Sequence, residues 1–137
     1  MAGVFISESE IHDLARTFAV IGPAQGVTTV PVTPSLYEDL DRDFNQFRGH
    51  VLVSQHSFDS DWPTWERHPA GDEIVVLLSG KAEFVLDRGG RQETIRLAAP
   101  SSYVVVPKGT WHTARIAEAA TLLFITPGEG TENEVRP

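Results

Sequence analysis

The chain has 137 residues, 41% of them hydrophobic, and carries 11 basic against 19 acidic side chains, a formal charge of -8. That balance repels nucleic acid and anionic membrane surfaces, and no basic cluster offsets it locally. There is no cysteine, which excludes disulfides, thiolate metal sites and cysteine nucleophiles.

The length is that of one domain, enough to bury roughly two thirds of the unfolded surface without staples. The opening "MAGVFISESEIHDLA" has no basic residue before Arg16 and acquires acids at once, unlike a signal peptide. No apolar run approaches the length of a membrane span. The expectation is a cytoplasmic protein, which the lack of cysteine also fits.

In chain order, Ser7 and Glu10 have the spacing of a capping box before Ile11, Leu14, Ala15 and Phe18, predicting a first helix. "GVTTVPVT" then reads as a strand. "TPSLYEDLDRDFNQF" predicts a second short helix, with Pro34 near its start and Leu36, Leu40, Phe44 and Phe47 apolar. Beyond it, nine prolines and eleven glycines in the whole chain punctuate β-branched runs: "HVLVSQHSF", "EIVVLLSG", "KAEFVLD", "RQETIRLA", "SYVVVPKG", "HTARIA" and "ATLLFITPG". Many short strands favour a sandwich or barrel over a βαβ fold. Gly89-Gly90 predicts a hairpin turn, and Gly80 a second tight turn. The expected organisation is an N-terminal helical or extended arm over residues 1–50, a barrel over 51–127 and a tail over 128–137. The arm would pack on the barrel exterior or mouth, or reach a neighbouring subunit.

The chemistry concentrates in "TWERHPAGDEIVVLLSG", Thr64 to Gly80. Acids beside a core strand are costly unless paired or metal-bound. Glu66 and His68 share a strand face, because alternate residues point the same way. The "PAGD" turn can return Glu73 to their side. Some forty residues later, "VVVPKGTWHTARI" places His112 at the start of a strand after a Pro107–Gly109 turn.

These two segments resemble the motifs of the cupin superfamily. His68-(four residues)-Glu73-(six residues)-Gly80 is similar to the first, Gly-x5-His-x-His-x3,4-Glu-x6-Gly. Pro107-x-Gly109-x-x-His112 is similar to the second, Gly-x5-Pro-x-Gly-x-x-His-x3-Asn. The resemblance implies an all-β, single-domain jelly-roll barrel, over about Val51 to Pro127, with short N-terminal helices or an arm. It implies one divalent metal held by Glu66, His68, Glu73 and His112, with Glu66 at the first histidine position. Ser60 and Ser101 stand where the motifs have glycine, and Ile116 where they have asparagine. Two carboxylates neutralise a divalent ion, and the donor mix suits iron, manganese, nickel or zinc. Glu66 is a ligand, a general base, or a partner that holds a histidine tautomer. The resemblance further implies a small-molecule ligand or substrate and a homodimer. The expected function is a metal-dependent enzyme, of oxidoreductase, isomerase or lyase type. The alternative is a non-catalytic small-molecule binding or sensing module, with or without metal, because this architecture hosts several chemistries.

Other residues are expected in plainer roles. Asp72 should face away from Glu73 as a turn acid. Trp65 and Trp111 fall on the strand faces opposite Glu66 and His112, and packing is their expected role; Trp62 is the candidate for a barrel mouth. His12 is expected to be exposed; His50 and His56 share strand parity and could face the cavity, but a surface or packing role is expected. Arg42 and Arg48 could reach an anionic substrate, but a solvated position is expected. No serine nucleophile elbow, P-loop or dinucleotide fingerprint occurs.

Overall fold

Most strands form where the sequence turns β-branched, as in "VLVSQHSF", "EIVVLL" and "YVVV". A computed structural model describes residues 3–4 and 11–136 and contains, among them, nine strands and one α-helix. No helix among the described residues is long and apolar enough to cross a membrane.

β1 (Thr17–Ile21) and β2 (Val27–Pro31) form an antiparallel pair with Phe18 opposite Val30. The helix expected up to Phe18 is therefore replaced by a turn and a strand. Ser7 and Glu10 lie outside the described residues. Asp13 makes the turn: its Oδ1 accepts from the Ala15 amide at 3.0 Å, and its carbonyl from Arg16 and Thr17 at 2.9 and 2.8 Å. Phe18 and Val20 are then buried in alternation. The period-two burial offered by β2 and β3 outweighs the local helical pattern.

The second helix forms as expected: α1 (Leu36–Asp43) buries Leu36 and Leu40. It ends in a left-handed turn, with φ of 54°, 56° and 60° at Asn45, Gln46 and Phe47. Such backbone costs L-residues about 1–2 kcal/mol each. Here the turn swings Phe47 into the core against Gly128, where a Cβ would come within 3.3 Å of its ring.

β3 (Val51–Phe58), β4 (Trp65–Arg67), β5 (Glu73–Arg88), β6 (Arg91–Leu97), β7 (Tyr103–Val106), β8 (His112–Thr126) and β9 (Glu132–Glu134) follow. Gly89 and Gly90, at φ 65° and 92°, make the expected two-residue hairpin between β5 and β6. Gly80 departs from expectation. β5 runs through it as one strand, with irregular register against β8 between Leu77 and Glu83. A Cβ at Gly80 would lie 1.9 Å from the Ala119 carbonyl oxygen. The glycine therefore serves a close crossing of two strands within a bulged corner.

That corner shapes the molecule. The first half of β5 and the last half of β8 join β7 and β3, with β1 and β2 beyond. The other halves join β6 on one side and β4 and β9 on the other. Two sheets thus share two long strands. The main core lies between them, around Leu77, Phe84, Leu86 and Leu122. A second cluster, Phe18, Val20, Leu36, Leu40, Phe47 and Leu52, seats α1 on β1 and β3. The outward positions of the first sheet are also apolar, with Val105, Ile74, Ile125 and Val53 in one cross-strand row.

Candidate metal centre

Glu66 lies on β4, paired in register with His112 at the start of β8. His68 follows β4 by one residue, and Glu73 opens β5. Two hydrogen bonds tie the turn between them to the Pro107–Gly109 loop. Asp72 Oδ1 accepts from the Lys108 amide at 2.8 Å, and the His68 carbonyl from the Gly109 amide at 2.9 Å. Asp72 is thus an exposed turn acid with a backbone partner and is not among the clustered donors.

The four predicted residues converge. One donor atom from each of Glu66, His68, Glu73 and His112 lies within 4.8 Å of all the others. His68 Nε2 is 3.4 Å from Glu66 Oε1 and 3.1 Å from Glu73 Oε2. His112 Nε2 is 3.4 Å from Glu66 Oε1 and 3.2 Å from Glu73 Oε1. His68, Glu73 and His112 are buried, whereas the Glu66 side chain is 24% exposed.

Neighbouring oxygens fix both imidazole tautomers. His112 Nδ1 donates to the Thr110 carbonyl at 2.9 Å. His68 Nδ1 lies 2.8 Å from Thr131 Oγ1, whose own proton goes to the Gly128 carbonyl. The Thr131 oxygen must therefore accept. With both Nδ1 atoms protonated, a neutral ring turns the Nε2 lone pair toward the cluster. Thr126 Oγ1 donates to Glu73 Oε2 at 2.5 Å. Three inward atoms are left buried without a hydrogen-bond partner: His68 Nε2, His112 Nε2 and Glu73 Oε1. Buried polar groups are seldom orphaned, and these three face one another with the chemistry of metal ligands. The residues fit a divalent ion.

Without an ion the same atoms attract protons. Burial opposes charge on His68 and His112, but the carboxylates of Glu66 and Glu73 outweigh it and raise the pair to about 9 and about 10. Burial likewise opposes ionisation of Glu66, yet the two imidazoles bring it down to about 2; Glu73 is lowered by the same balance.

Glu66, His68 and Glu73 form part of the wall of a cavity of about 710 Å³. Trp62 lines it as expected, packed edge-on to Phe84 at 5.7 Å. Trp65 and Trp111 carry cationic partners: the Arg136 guanidinium sits 4.3 Å from the Trp65 ring centroid and 5.5 Å from that of Trp111, and Arg67 lies 5.0 Å from Trp111. His12 is exposed, and His50 packs against Phe44 and Phe47. His56 packs against Phe18, Phe58 and Phe124 and also lines the cavity, with its Nε2 3.4 Å from the Tyr37 hydroxyl. The strand parity it shares with Leu52 and Phe58 was the available signal. Thr126, Thr131 and Tyr37 had none at motif spacing.

No family model matches the sequence, and no curated protein matches it. Solved structures do. Oxalate decarboxylase from Bacillus subtilis is 16% identical, with a TM-score of 0.50 over 62% of this chain and 23% of that one. A further structure of that enzyme, described for its Mn(II) centers, gives the same values. A cupin-2 domain containing protein from Shewanella frigidimarina NCIMB 400 is 21% identical, with a TM-score of 0.49 over 56% of this chain and 70% of that chain. A cupin superfamily protein from Desulfitobacterium hafniense DCB-2 is 26% identical, with a TM-score of 0.47 over 56% and 65%. The chain thus spans less than a quarter of the decarboxylase. The fold is that of the cupin superfamily: an all-β barrel with the two motif segments meeting inside it.

Proposed function

We propose that Glu66, His68, Glu73 and His112 bind one divalent metal ion, and that the protein is a small metal-dependent enzyme acting on an oxygenated small molecule in the adjoining cavity. The observation that carries this is the set of three buried, unpartnered donor atoms facing one another. Iron, manganese, nickel or zinc suits two imidazoles and two carboxylates, and a fold neighbour holds Mn(II) centers. When bound, the ion would supply Lewis acidity to a substrate oxygen.

The chain's own residues divide the remaining work. Thr131 and the Thr110 carbonyl orient the two rings, and Thr126 orients Glu73. His68, Glu73 and His112 form the buried part of the cluster. Glu66, at its cavity edge, is the catalytic residue: a carboxylate able to hold the ion and to take a proton from substrate. Elemental analysis of the purified protein tests the reading. The expected result is about one equivalent of metal, lost in His68→Ala and in His112→Ala. Full-length, folded protein that takes up no metal at any pH would refute it.

The apolar outer row of Val105, Ile74, Ile125 and Val53 supports a homodimer through that sheet. Tyr103 and Val105 there are 62% and 45% exposed. Sedimentation should show a dimer, and Val105→Asp a monomer.

A further inference from the structure

The cavity has a chemical bias that the metal donors do not explain. Among the described residues lining it, none is Lys or Arg, whereas four are carboxylates: Asp41, Asp61, Glu66 and Glu73. Arg42 is turned to the surface instead, paired with Asp39 and Asp43 at 3.2 and 2.8 Å. Glu66 and Glu73 would cancel the charge of a divalent ion, and Asp41 and Asp61 would then leave the cavity negative. The remaining imidazole does not reverse this. His56 sits among Phe18, Phe58 and Phe124, with ring centroids 5.2–6.1 Å away. Burial lowers its pKa against the pull of Glu66, which keeps it neutral. Its partner Tyr37 is raised by burial and by Glu66 and stays a phenol. Tyr37 as a residue is 62% exposed, while its hydroxyl is the end that meets His56 Nε2 at 3.4 Å.

Apart from His68, the rest of the wall carries no charge: neutral Ser, Thr, Asn and Gln side chains stand beside six large apolar ones. Phe58, Trp62 and Phe124 belong to or pack against the main core cluster, and Leu40, Phe47 and Leu52 belong to the second. Small-molecule pockets run roughly from 300 to 1,000 Å³, so 710 Å³ has room for a ring-sized body. A buried anion needs a paired cation, and beyond the ion this wall offers only His68, which already faces Glu66 and Glu73 at 3.4 and 3.1 Å. We infer that the cavity selects an uncharged ligand with an apolar, ring-sized body and an oxygenated end, and discriminates against carboxylates and phosphates. The inference rests on the proposed metal site only for which end of the ligand meets the ion. The His56–Tyr37 pair offers that ligand a neutral donor and acceptor in the same wall as Glu66.

Two probes of matched skeleton test this: α-hydroxyacetophenone, which is neutral, and benzoylformate, which replaces its CH2OH by a carboxylate. Binding is measured by calorimetry and Trp fluorescence, on metal-loaded and on chelator-treated protein, beside the metal content of each. The neutral probe should bind the loaded protein at least about tenfold more tightly than the anion. Asp41→Arg, on the exposed face of α1, should tighten benzoylformate about tenfold and change the neutral probe by less than about threefold. Preference for the anion, or failure of folded, metal-loaded protein to bind the neutral probe, would overturn the inference. If instead no metal is ever taken up, the metal reading fails by itself. A neutral-over-anion preference in the metal-free protein would still uphold the cavity's selectivity, and its absence there would sink it.

Discussion

Loading the centre with a divalent ion at pH 7 should release close to two protons. In the ion-free protein His68 and His112 have pKa values of about 9 and about 10, so at pH 7 both rings are imidazolium. Their Nδ1 protons are held by Thr131 and by the Thr110 carbonyl. The protons that leave are therefore those on Nε2, the atoms that face the ion. Displacing two protons makes affinity rise about 100-fold per pH unit, or about 2.7 kcal/mol, from pH 7 toward 9. The slope then falls to about tenfold per unit and levels near pH 10. Calorimetric titration with metal in two buffers of different ionisation enthalpy counts the protons directly. Ion binding that releases no proton at pH 7, with affinity flat to pH 9, would refute the reasoning. Stability of the ion-free protein should move the opposite way. Both imidazoles are raised above the open-chain value of 6.5, so their stabilisation is complete below about pH 6.5 and is lost as pH rises through 9 to 10. Glu66 is depressed from 4.5 to about 2, so its contribution is present above about pH 4.5 and lost as pH falls toward 2.

Thr131→Val removes the acceptor that orients His68 and should weaken metal binding about 10- to 100-fold with little change in fold, read by competition with a chelator. Ser101 holds a φ of 74°, so Ser101→Gly should stabilise the protein by about 0.5–1 kcal/mol in urea unfolding. Gly80→Ala drives a Cβ into the Ala119 backbone and should cost at least about 3 kcal/mol, seen as a fall in Tm together with lost metal.

Much of the centre was legible in the sequence because three of its donors lie at short, fixed spacings and the fourth, His112, follows a Pro107–Gly109 turn. Glu66 and His68 share strand parity, and the four residues between His68 and Glu73 can only turn back. Ser101 shows the same economy: the motif's glycine position does need positive φ, and serine fills it at a cost. What the sequence hid was set by tertiary contacts. Phe18 looks helical beside Leu14 and Ala15 until β2 and β3 offer it a sheet. Gly80 looks like a turn because the residue type reports only a need for close approach, and both a turn and a strand crossing meet that need. Thr131 reaches His68 across 63 positions of chain, a contact that no local pattern encodes.

The bulged corner at Gly80 has one more consequence. Ile74 and Leu86 are twelve steps apart on β5, facing Ile125 and His112 on β8. In a flat ladder about 40 Å would separate those ends. Glu73 and His112, one at each end, nevertheless meet at 3.2 Å. An ion gripped by both would act as a reversible cross-link in a chain that has no cysteine to make a permanent one. It would staple the folded-over ribbon shut, so that heat or chelation should unroll the barrel from the seam where the two ends touch.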